Sequence, residues 1–215
     1  MIQLHYFPGN ASMTPHMVLE ELGVPFELQY VDRTVGAHKA PDYVKLNPNG
    51  LIPVLVDGDL VLYETAAILL HLADTNAKAG LAPAVGSPER AQFYKWLAWM
   101  TNTLQASLIV YFYPERWVDE GNAAGTAQVK AHAEAKVGGL LDQIDAHLAA
   151  HGKEWFLEKD FSVLDPFAFM LCRWTRGFTR PARSLPHLGP YLQRVLARPA
   201  VQRVYATEKL PLPYV

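Results

Sequence analysis

The apolar segment 51–55, LIPVL, lies shortly before an acidic residue and a hydroxyl at the predicted start of a helix, Glu64 and Thr65. Proline cannot donate to a sheet ladder, so a central strand should not contain one. We therefore predict that the Ile52-Pro53 peptide bond is cis and stands at the mouth of a strand, where free backbone groups can meet a ligand. Thr65 is a suitable helix cap, and helix N-terminal amides bind carboxylates. The two features together predict a site for a peptide-like anionic ligand.

The elements that must position these residues follow from apolar spacing in the first third of the chain. Alternating apolar residues predict strands near 2–6 and 26–30, with a helix between them that begins at Ser12. Asp57-Gly58 is a strong hairpin turn between strands near 52–56 and 60–63. A helix from about 64 to 77 closes the unit. The predicted order is β-α-β followed by β-β-α, which makes 1–77 an α/β domain.

The remainder of the chain predicts helices only. Residues 78–88 contain two glycines and two prolines, which is the composition of a linker. Residues 89–215 carry apolar side chains at helical spacing and predict an all-helical domain. Within it, Ser162 and Asp165 form a capping box before an apolar run, which is a folding signal without assigned chemistry.

Composition narrows the classes of function. The chain has 215 residues, half of them hydrophobic, and a net charge of −2 without a basic block. Nucleic acid and membrane surfaces are therefore not expected partners, and the apolar runs are too short to span a bilayer. The single cysteine, Cys172, excludes an internal disulfide and fits a reducing cytoplasm. His147 and His151 have the spacing of helical metal ligands, but no third ligand is visible, so we expect no metal site.

Several short motifs occur together in one order. They are YFPG at 6–9, a serine at 12 followed by TPH at 14–16, NPNGLIPVL at 47–55, ETAAI at 64–68 and the box at 162–165. On these motifs the chain resembles the cytosolic glutathione transferases along its whole length, and the bacterial beta class most. The resemblance implies a thioredoxin-like N-terminal domain, a C-terminal helical domain that lines an electrophile pocket, and a homodimer.

The resemblance also implies the ligand contacts. The backbone of Ile52 would pair with the cysteinyl part of glutathione, and Glu64 and Thr65 would hold its γ-glutamyl end. The glutathione-binding residues implied in this way are Leu51, Ile52, Pro53, Glu64, Thr65, Lys39 and Gln105. Those implied for the electrophile pocket are Phe7, Tyr111 and Trp174. Glutathione would be a cosubstrate, and no prosthetic group is implied.

The residues nearest the sulfur depart from the beta class. Ala11 stands where those enzymes have a cysteine, and Gln105 where they have a histidine. We expect Ser12 to donate a hydrogen bond to the glutathione thiolate, with Asn10 and Tyr6 as competing donors and a cap-only role for Ser12 left open. Lowering a thiol pKa by about two units requires about 2.7 kcal/mol. A helix N-terminus supplies roughly 0.3–1 kcal/mol and a charged hydrogen bond roughly 1.5–3 kcal/mol, so together they suffice.

The predicted function is conjugation of glutathione to small hydrophobic electrophiles by a glutathione S-transferase. The alternative is a non-catalytic protein-interaction module of the same fold, which Ala11 and Gln105 keep open. Glu64, Thr65 and Pro53 argue against that alternative, because a scaffold has no evident use for them. A glutaredoxin-like oxidoreductase is excluded because no cysteine occupies the first turn.

Overall fold

A four-stranded mixed sheet forms the centre of the N-terminal part of the molecule. The computed structural model describes residues 1–213. The strands are β1 (Ile2–Tyr6), β2 (Phe26–Tyr30), β3 (Val54–Asp57) and β4 (Leu60–Tyr63), in the spatial order β2-β1-β3-β4. β1 runs parallel to β2 and antiparallel to β3, and β3 and β4 form an antiparallel hairpin. All four strands match the predicted ones to within two residues.

The register of the sheet follows from its apolar side chains. Leu4 of β1 is fully buried and pairs with Leu28 on one side and Leu55 on the other. A shift of one residue would turn Leu4 out of the core, so burial fixes the pairing. His5 pairs with Val54, which brings the carboxyl end of β1 beside the start of β3.

Nine α-helices lie within residues 1–213. They are α1 (Met13–Leu22), α2 (Pro41–Leu46), α3 (Thr65–Thr75), α4 (Pro88–Trp99), α5 (Ala106–Phe112), α6 (Ala123–His151), α7 (Leu164–Arg173), α8 (Leu188–Leu196) and α9 (Pro199–Glu208). α1 ends at Gly23, whose left-handed φ of 63° lets its N–H bond the carbonyl of Leu19. None of these helices has both the length and the apolar composition needed to cross a membrane.

The chain divides into two compact units, and the division corrects one predicted boundary. The first unit comprises Met1–Ala82 together with Leu196–Leu212, whereas the second comprises Pro83–Val195. The sequence placed the C-terminal segment in the helical domain. Ion pairs explain the difference, because Arg198, which directly precedes α9, binds Glu21 of α1 through two bonds of 2.5 and 2.8 Å. Helical spacing alone does not indicate which unit a helix joins.

The second unit consists of α4 to α8. The helical domain predicted from residue 89 onward contains an irregular segment, because Met100–Gln105 is π-helical and lies between α4 and α5. π-segments inside α-helices are frequently found at functional sites. One half of the predicted capping box is present, because Asp165 Oδ2 accepts from the N–H of Ser162 at 2.8 Å. The other half differs: Val163 is the N-cap of α7, and Ser162 Oγ accepts from the N–H of Leu164 at 3.3 Å rather than from that of Asp165.

Candidate active site

Three segments meet at one end of the sheet of the first unit. Val54 at the start of β3 pairs both with His5 near the end of β1 and with Tyr63 at the end of β4. Consequently the turn after β1, the segment before β3 and the beginning of α3 all leave the sheet at the same end. These segments hold most of the predicted glutathione-binding residues of this unit.

Ser12 closes the turn that follows β1. Its hydroxyl donates to the carbonyl oxygen of Phe7 and accepts from the N–H of the same residue, both at 3.2 Å. The side chain is fully buried and makes no capping bond to α1. The cap role left open for Ser12 is therefore wrong. Its hydroxyl has a single hydrogen, so donation to a thiolate would require the bond to Phe7 to break, and that role stays a prediction.

Asn10 offers a donor at the same turn. Its Oδ1 accepts from the N–H of Ala11, and only an oxygen can take that bond, so the orientation of the amide is fixed. The Nδ2 group makes no hydrogen bond within the described part of the chain. Asn10 is half-buried and lies three residues before Met13, the first residue of α1, whose positive end favours an anion. Two N–H bonds of Asn10 are thus available to a ligand atom.

Tyr6, the other competing donor, is held as a neutral phenol. Burial raises its pKa, and the charge of Glu208 raises that pKa further. The ring packs edge-on against His16 and Tyr30, at centroid distances of 6.2 and 5.9 Å. A neutral phenol can donate a hydrogen bond, but this ring serves mainly as packing beneath the turn.

The proline segment lies directly before β3. The Ile52-Pro53 peptide bond is cis, as predicted, and the ladder begins only at Val54. Pro53 therefore breaks no sheet hydrogen bond. The backbone N–H and C=O of Ile52 find no hydrogen-bond partner in residues 1–213, while its side chain packs in a cluster with Tyr43 and Phe7. Phe7, predicted for the electrophile pocket, thus also contributes to this core cluster.

The loop before the proline is held by side chains. The carbonyl oxygen of Leu51 accepts from Tyr43 Oη at 2.9 Å and from Asn47 Nδ2 at 2.8 Å. The Leu51 side chain is 54% exposed. Lys39 Nζ donates to the carbonyl oxygen of Asn49 at 3.1 Å. One ammonium proton of Lys39 is used in this way, and two remain for a carboxylate.

The beginning of α3 presents unsatisfied donors. The helix starts at Thr65, so the predicted cap lies one residue too late, and Glu64 occupies the cap position. Glu64 has φ 72° and ψ 116°, a conformation that is unusual for a residue with a side chain. Its carboxylate is exposed, and neither it nor the Thr65 hydroxyl makes a hydrogen bond within residues 1–213. The N–H groups of Thr65 and Ala66 likewise find no acceptor there. This end can bind a carboxylate through its donors and an ammonium through Glu64.

Three predicted residues lie in the second unit. Gln105 is the last residue of the π-helical segment and is half-buried. Tyr111 packs against Phe178 at a ring-centroid distance of 4.3 Å. Burial raises the pKa of the Tyr111 phenol, and the charge of Glu134 raises it further. Trp174 stands edge-on to Phe112 at 6.1 Å. The roles predicted for Gln105, Tyr111 and Trp174 stay predictions.

The two spaced histidines of α6 pack rather than face solvent. His147 Nε2 lies 2.8 Å from the carbonyl oxygen of Phe156, and its ring contacts Trp96 at a centroid distance of 4.6 Å. Burial lowers the pKa of His147. The contact with the Phe156 carbonyl occupies the Nε2 atom of His147, which a metal ion would otherwise need. Among residues 1–213, no three His, Cys, Asp or Glu side chains are placed to share a metal ion.

One residue that contacts this turn is not indicated by the sequence. Glu208 at the end of α9 binds the N–H of Gly9 in the turn, at a distance of 2.8 Å. The two residues are 199 positions apart, and no periodicity or motif links them.

Comparison with known proteins identifies relatives in both sequence and fold. Residues 10–75 match the family model described as the glutathione S-transferase N-terminal domain. The chain is 31% identical to glutathione S-transferase GST-4.5 of Xanthomonas campestris pv. campestris, over 97% of this chain and 100% of the relative. A solved glutathione transferase homologue from Sulfitobacter, with bound glutathione, has a TM-score of 0.87 and 26% identity over 98% of this chain and 99% of that one. A bacterial beta class glutathione S-transferase from Sphingomonas chungbukensis has a TM-score of 0.83 and 29% identity over 97% and 100%.

The sheet and the helices define a thioredoxin-like domain combined with a helical domain, which confirms the predicted fold class. Because the chain is 31% identical to the Xanthomonas relative over that protein's full length, it belongs to the glutathione S-transferase family.

Proposed function

We propose that this chain binds glutathione at the end of the sheet in its first unit and joins the glutathione sulfur to small hydrophobic electrophiles. The observation that carries the proposal is the convergence of three segments with unused hydrogen-bonding groups. Val54 pairs with both His5 and Tyr63, so the Asn10 turn, Ile52 and Thr65 leave the sheet at one end. A tripeptide needs donors and acceptors spread in this way along its length.

Each part of glutathione has a matching group. The unpaired N–H and C=O of Ile52 suit the backbone of the cysteinyl residue. The helix start at Thr65 suits the γ-glutamyl carboxylate, and the Glu64 carboxylate suits the ammonium. Lys39 suits the glycyl carboxylate. Asn10 and the positive end of α1 then lie where the sulfur would be.

The chemistry requires the thiolate rather than the thiol. The Asn10 Nδ2 group supplies a charge-assisted hydrogen bond, and the N-terminus of α1 supplies its dipole, which both favour the anion. The thiol proton passes to solvent. The sulfur then forms a bond to an electrophilic carbon, and the leaving group departs with the electron pair of the bond that breaks. No redox step and no metal ion takes part in this sequence.

Binding is tested first, by thermal unfolding with glutathione. A ligand at one hundred times its dissociation constant stabilises a protein by about 2.7 kcal/mol. We expect millimolar glutathione to raise the melting temperature of the wild type. Thr65→Val removes the hydroxyl while keeping the shape, and it should weaken glutathione binding about tenfold.

Thr75→Val is the matched control, because Thr75 ends the same helix and its hydroxyl bonds only the His71 carbonyl and the neighbouring Asn76. It should bind glutathione like the wild type. If glutathione causes no shift in any of the proteins, the proposal fails and the non-catalytic module becomes the better account.

A homodimer and a cytoplasmic location, both expected from the sequence, stay predictions. Light scattering of the purified protein at two concentrations tests the first, and fractionation of the source cells tests the second. A monomer in scattering would contradict the dimer.

A further inference from the structure

A single carboxylate at the end of α9 bridges the turn after β1 to helix α1. Glu208 is 4% exposed, and its Oε2 accepts from the N–H of Gly9 at 2.8 Å. Its Oε1 lies 2.8 Å from Nδ1 of His16, and both side chains of this pair are fully buried. One side chain therefore fixes two elements of the candidate active site.

The surroundings of His16 determine where its proton sits. The ring stands edge-on to Tyr6 and Phe26, at centroid distances of 6.2 and 5.7 Å. Its Nε2 is buried and has no hydrogen-bond partner among residues 1–213. A proton on Nε2 would be a buried donor without an acceptor, which is costly. We therefore place the proton on Nδ1, where it is donated to Glu208.

Glu208 is held in place by contacts that do not involve the turn. Arg198, directly before α9, and Arg203 of α9 bind Glu21 and Glu20 of α1. α9 is thereby anchored along α1 at two points before its last residue. Glu208 thus holds the N–H of Gly9 from a fixed support rather than following the turn.

We propose that Glu208 is a positioning residue for the thiolate donor. By holding the N–H of Gly9, it fixes the residue next to Asn10 and so the direction of the Nδ2 group. Gly9 has φ 69°, in the left-handed region that glycine enters and leaves at little cost, and the bond to Glu208 restrains it in addition to the bond from the Asn10 N–H to the Phe7 carbonyl. The inference rests on the proposed function. An error of about 1 Å in a reacting group can cost about 100-fold in rate.

The test compares Glu208→Ala with Arg203→Ala in the full chain. Arg203→Ala removes a partly exposed ion pair of α9, while Arg198 keeps its two bonds to Glu21, so α9 stays anchored on α1 and the contact between Glu208 and Gly9 is kept. The readouts are the ultraviolet absorbance of the bound glutathione thiolate against pH, and kcat and KM with chlorodinitrobenzene. We expect Glu208→Ala to raise the pKa of the bound thiol by about one unit, from about 6.5 to about 7.5, which lowers the thiolate fraction at pH 7 about threefold. We expect kcat to fall about tenfold, with a smaller change in the KM for glutathione.

Glu208→Gln keeps an oxygen that can accept from the N–H of Gly9, so its bound-thiol pKa should lie between those of the wild type and Glu208→Ala. If Glu208→Ala does not fold, Glu208→Gln provides the test. Arg203→Ala should lower the melting temperature and leave the thiol pKa unchanged. If Glu208→Ala and Arg203→Ala share the wild-type thiol pKa, the positioning role is overturned while the proposed function stands. If the wild type neither binds glutathione nor lowers its thiol pKa, both proposals fall.

Discussion

Ser12 and Phe7 are joined by a reciprocal pair of hydrogen bonds, in which one hydroxyl both donates to the Phe7 carbonyl and accepts from the Phe7 N–H. The pair closes a turn of six residues between β1 and α1. It occupies the only hydroxyl hydrogen of Ser12, whereas the Nδ2 group of Asn10 stays available. We therefore expect the two polar residues of the turn to have different tasks, with Ser12 holding the turn and Asn10 presenting the donor.

This division predicts different consequences for two alanine variants. Ser12→Ala removes the acceptor of the Phe7 N–H, while the Phe7 carbonyl keeps the bond from the Asn10 N–H at 3.2 Å, so the free energy of unfolding should fall by about 1–3 kcal/mol. Asn10→Ala removes the free donor, so the pKa of bound glutathione should rise by about one unit. Denaturant unfolding and thiolate absorbance against pH measure the two effects. A larger rise in thiol pKa for Ser12→Ala than for Asn10→Ala would restore Ser12 as the donor.

Gly50 and Gly58 allow a matched test of loop geometry. Both have left-handed backbones, with φ values of 56° and 60°. A Cβ on Gly50 would lie 2.8 Å from the His38 carbonyl oxygen, whereas a Cβ on Gly58 would meet nothing within 4 Å. Gly58→Ala should cost about 1 kcal/mol for the backbone conformation alone. Gly50→Ala should cost clearly more, about 2–4 kcal/mol, because a backbone atom must move.

Thermal and denaturant unfolding of the two variants give the comparison. Gly50→Ala should also weaken glutathione binding, since the loop leads directly into Ile52. Equal costs for the two substitutions would mean that the loop shifts freely, and would contradict the view that it is held in place.

Tyr43 and Asn47 donate to the same carbonyl oxygen, that of Leu51, so we expect the stability effects of substituting them to be coupled. Tyr43→Phe removes one hydrogen bond and leaves the one from Asn47, so it should cost about 0.5–1.5 kcal/mol. Asn47→Ala should cost more, because the Asn47 side chain also accepts from the N–H of Asn49 at 3.0 Å. The double variant leaves the carbonyl with neither donor. A double-mutant cycle should therefore show a coupling of at least about 0.5 kcal/mol, and strict additivity would contradict the shared acceptor.

Local features of the site could be predicted from the sequence because neighbouring residues determine them. The cis bond at Pro53 follows from a proline inside an apolar run, and the hairpin after Val56 follows from Asp57-Gly58. The start of α3 was placed within one residue. The positive φ of Glu64, just before α3, could not be predicted from neighbouring residues. In a residue with a side chain, such a backbone conformation is imposed by the surrounding structure rather than by local propensity.

Long-range features of the site could not be predicted in this way. The bond between Glu208 and Gly9 joins residues 199 positions apart and depends on α9 returning to α1. The clasp of Ser12 on Phe7 spans five positions in an irregular turn, for which no periodic pattern exists. In a single sequence, a serine before a helix predicts a cap, and only the folded turn shows that the hydroxyl points backwards.

The buried carboxylate of Asp165 provides a test of pH dependence. It is fully buried, and it accepts from Phe156 N–H and Tyr191 Oη at 2.9 Å each and from the N–H and hydroxyl of Ser162. These bonds favour the ionised form, but burial outweighs them and raises the pKa of Asp165 to about 6. A group with a raised pKa binds its proton more tightly in the folded state than in the unfolded state. Its contribution to stability is therefore complete below about pH 4 and is lost as the pH rises through about 6.

We expect the free energy of unfolding of the wild type to fall by roughly 3 kcal/mol from this group between pH 4 and pH 7.5. The asparagine side chain of Asp165→Asn does not titrate. Its NH₂ group must face either the donors of Phe156 and Tyr191 or those of Ser162, so this variant should be less stable than the wild type at every pH. Because only the wild type gains stability from protonation, the deficit of Asp165→Asn should be larger at pH 5 than at pH 7.5. Urea unfolding of both proteins across this pH range measures the deficit in the free energy of unfolding. Taking the difference between the two proteins removes the contribution of all other titrating groups, because both proteins share them. A deficit that grows with rising pH would show instead that the four hydrogen bonds outweigh burial and that Asp165 is ionised in the folded protein.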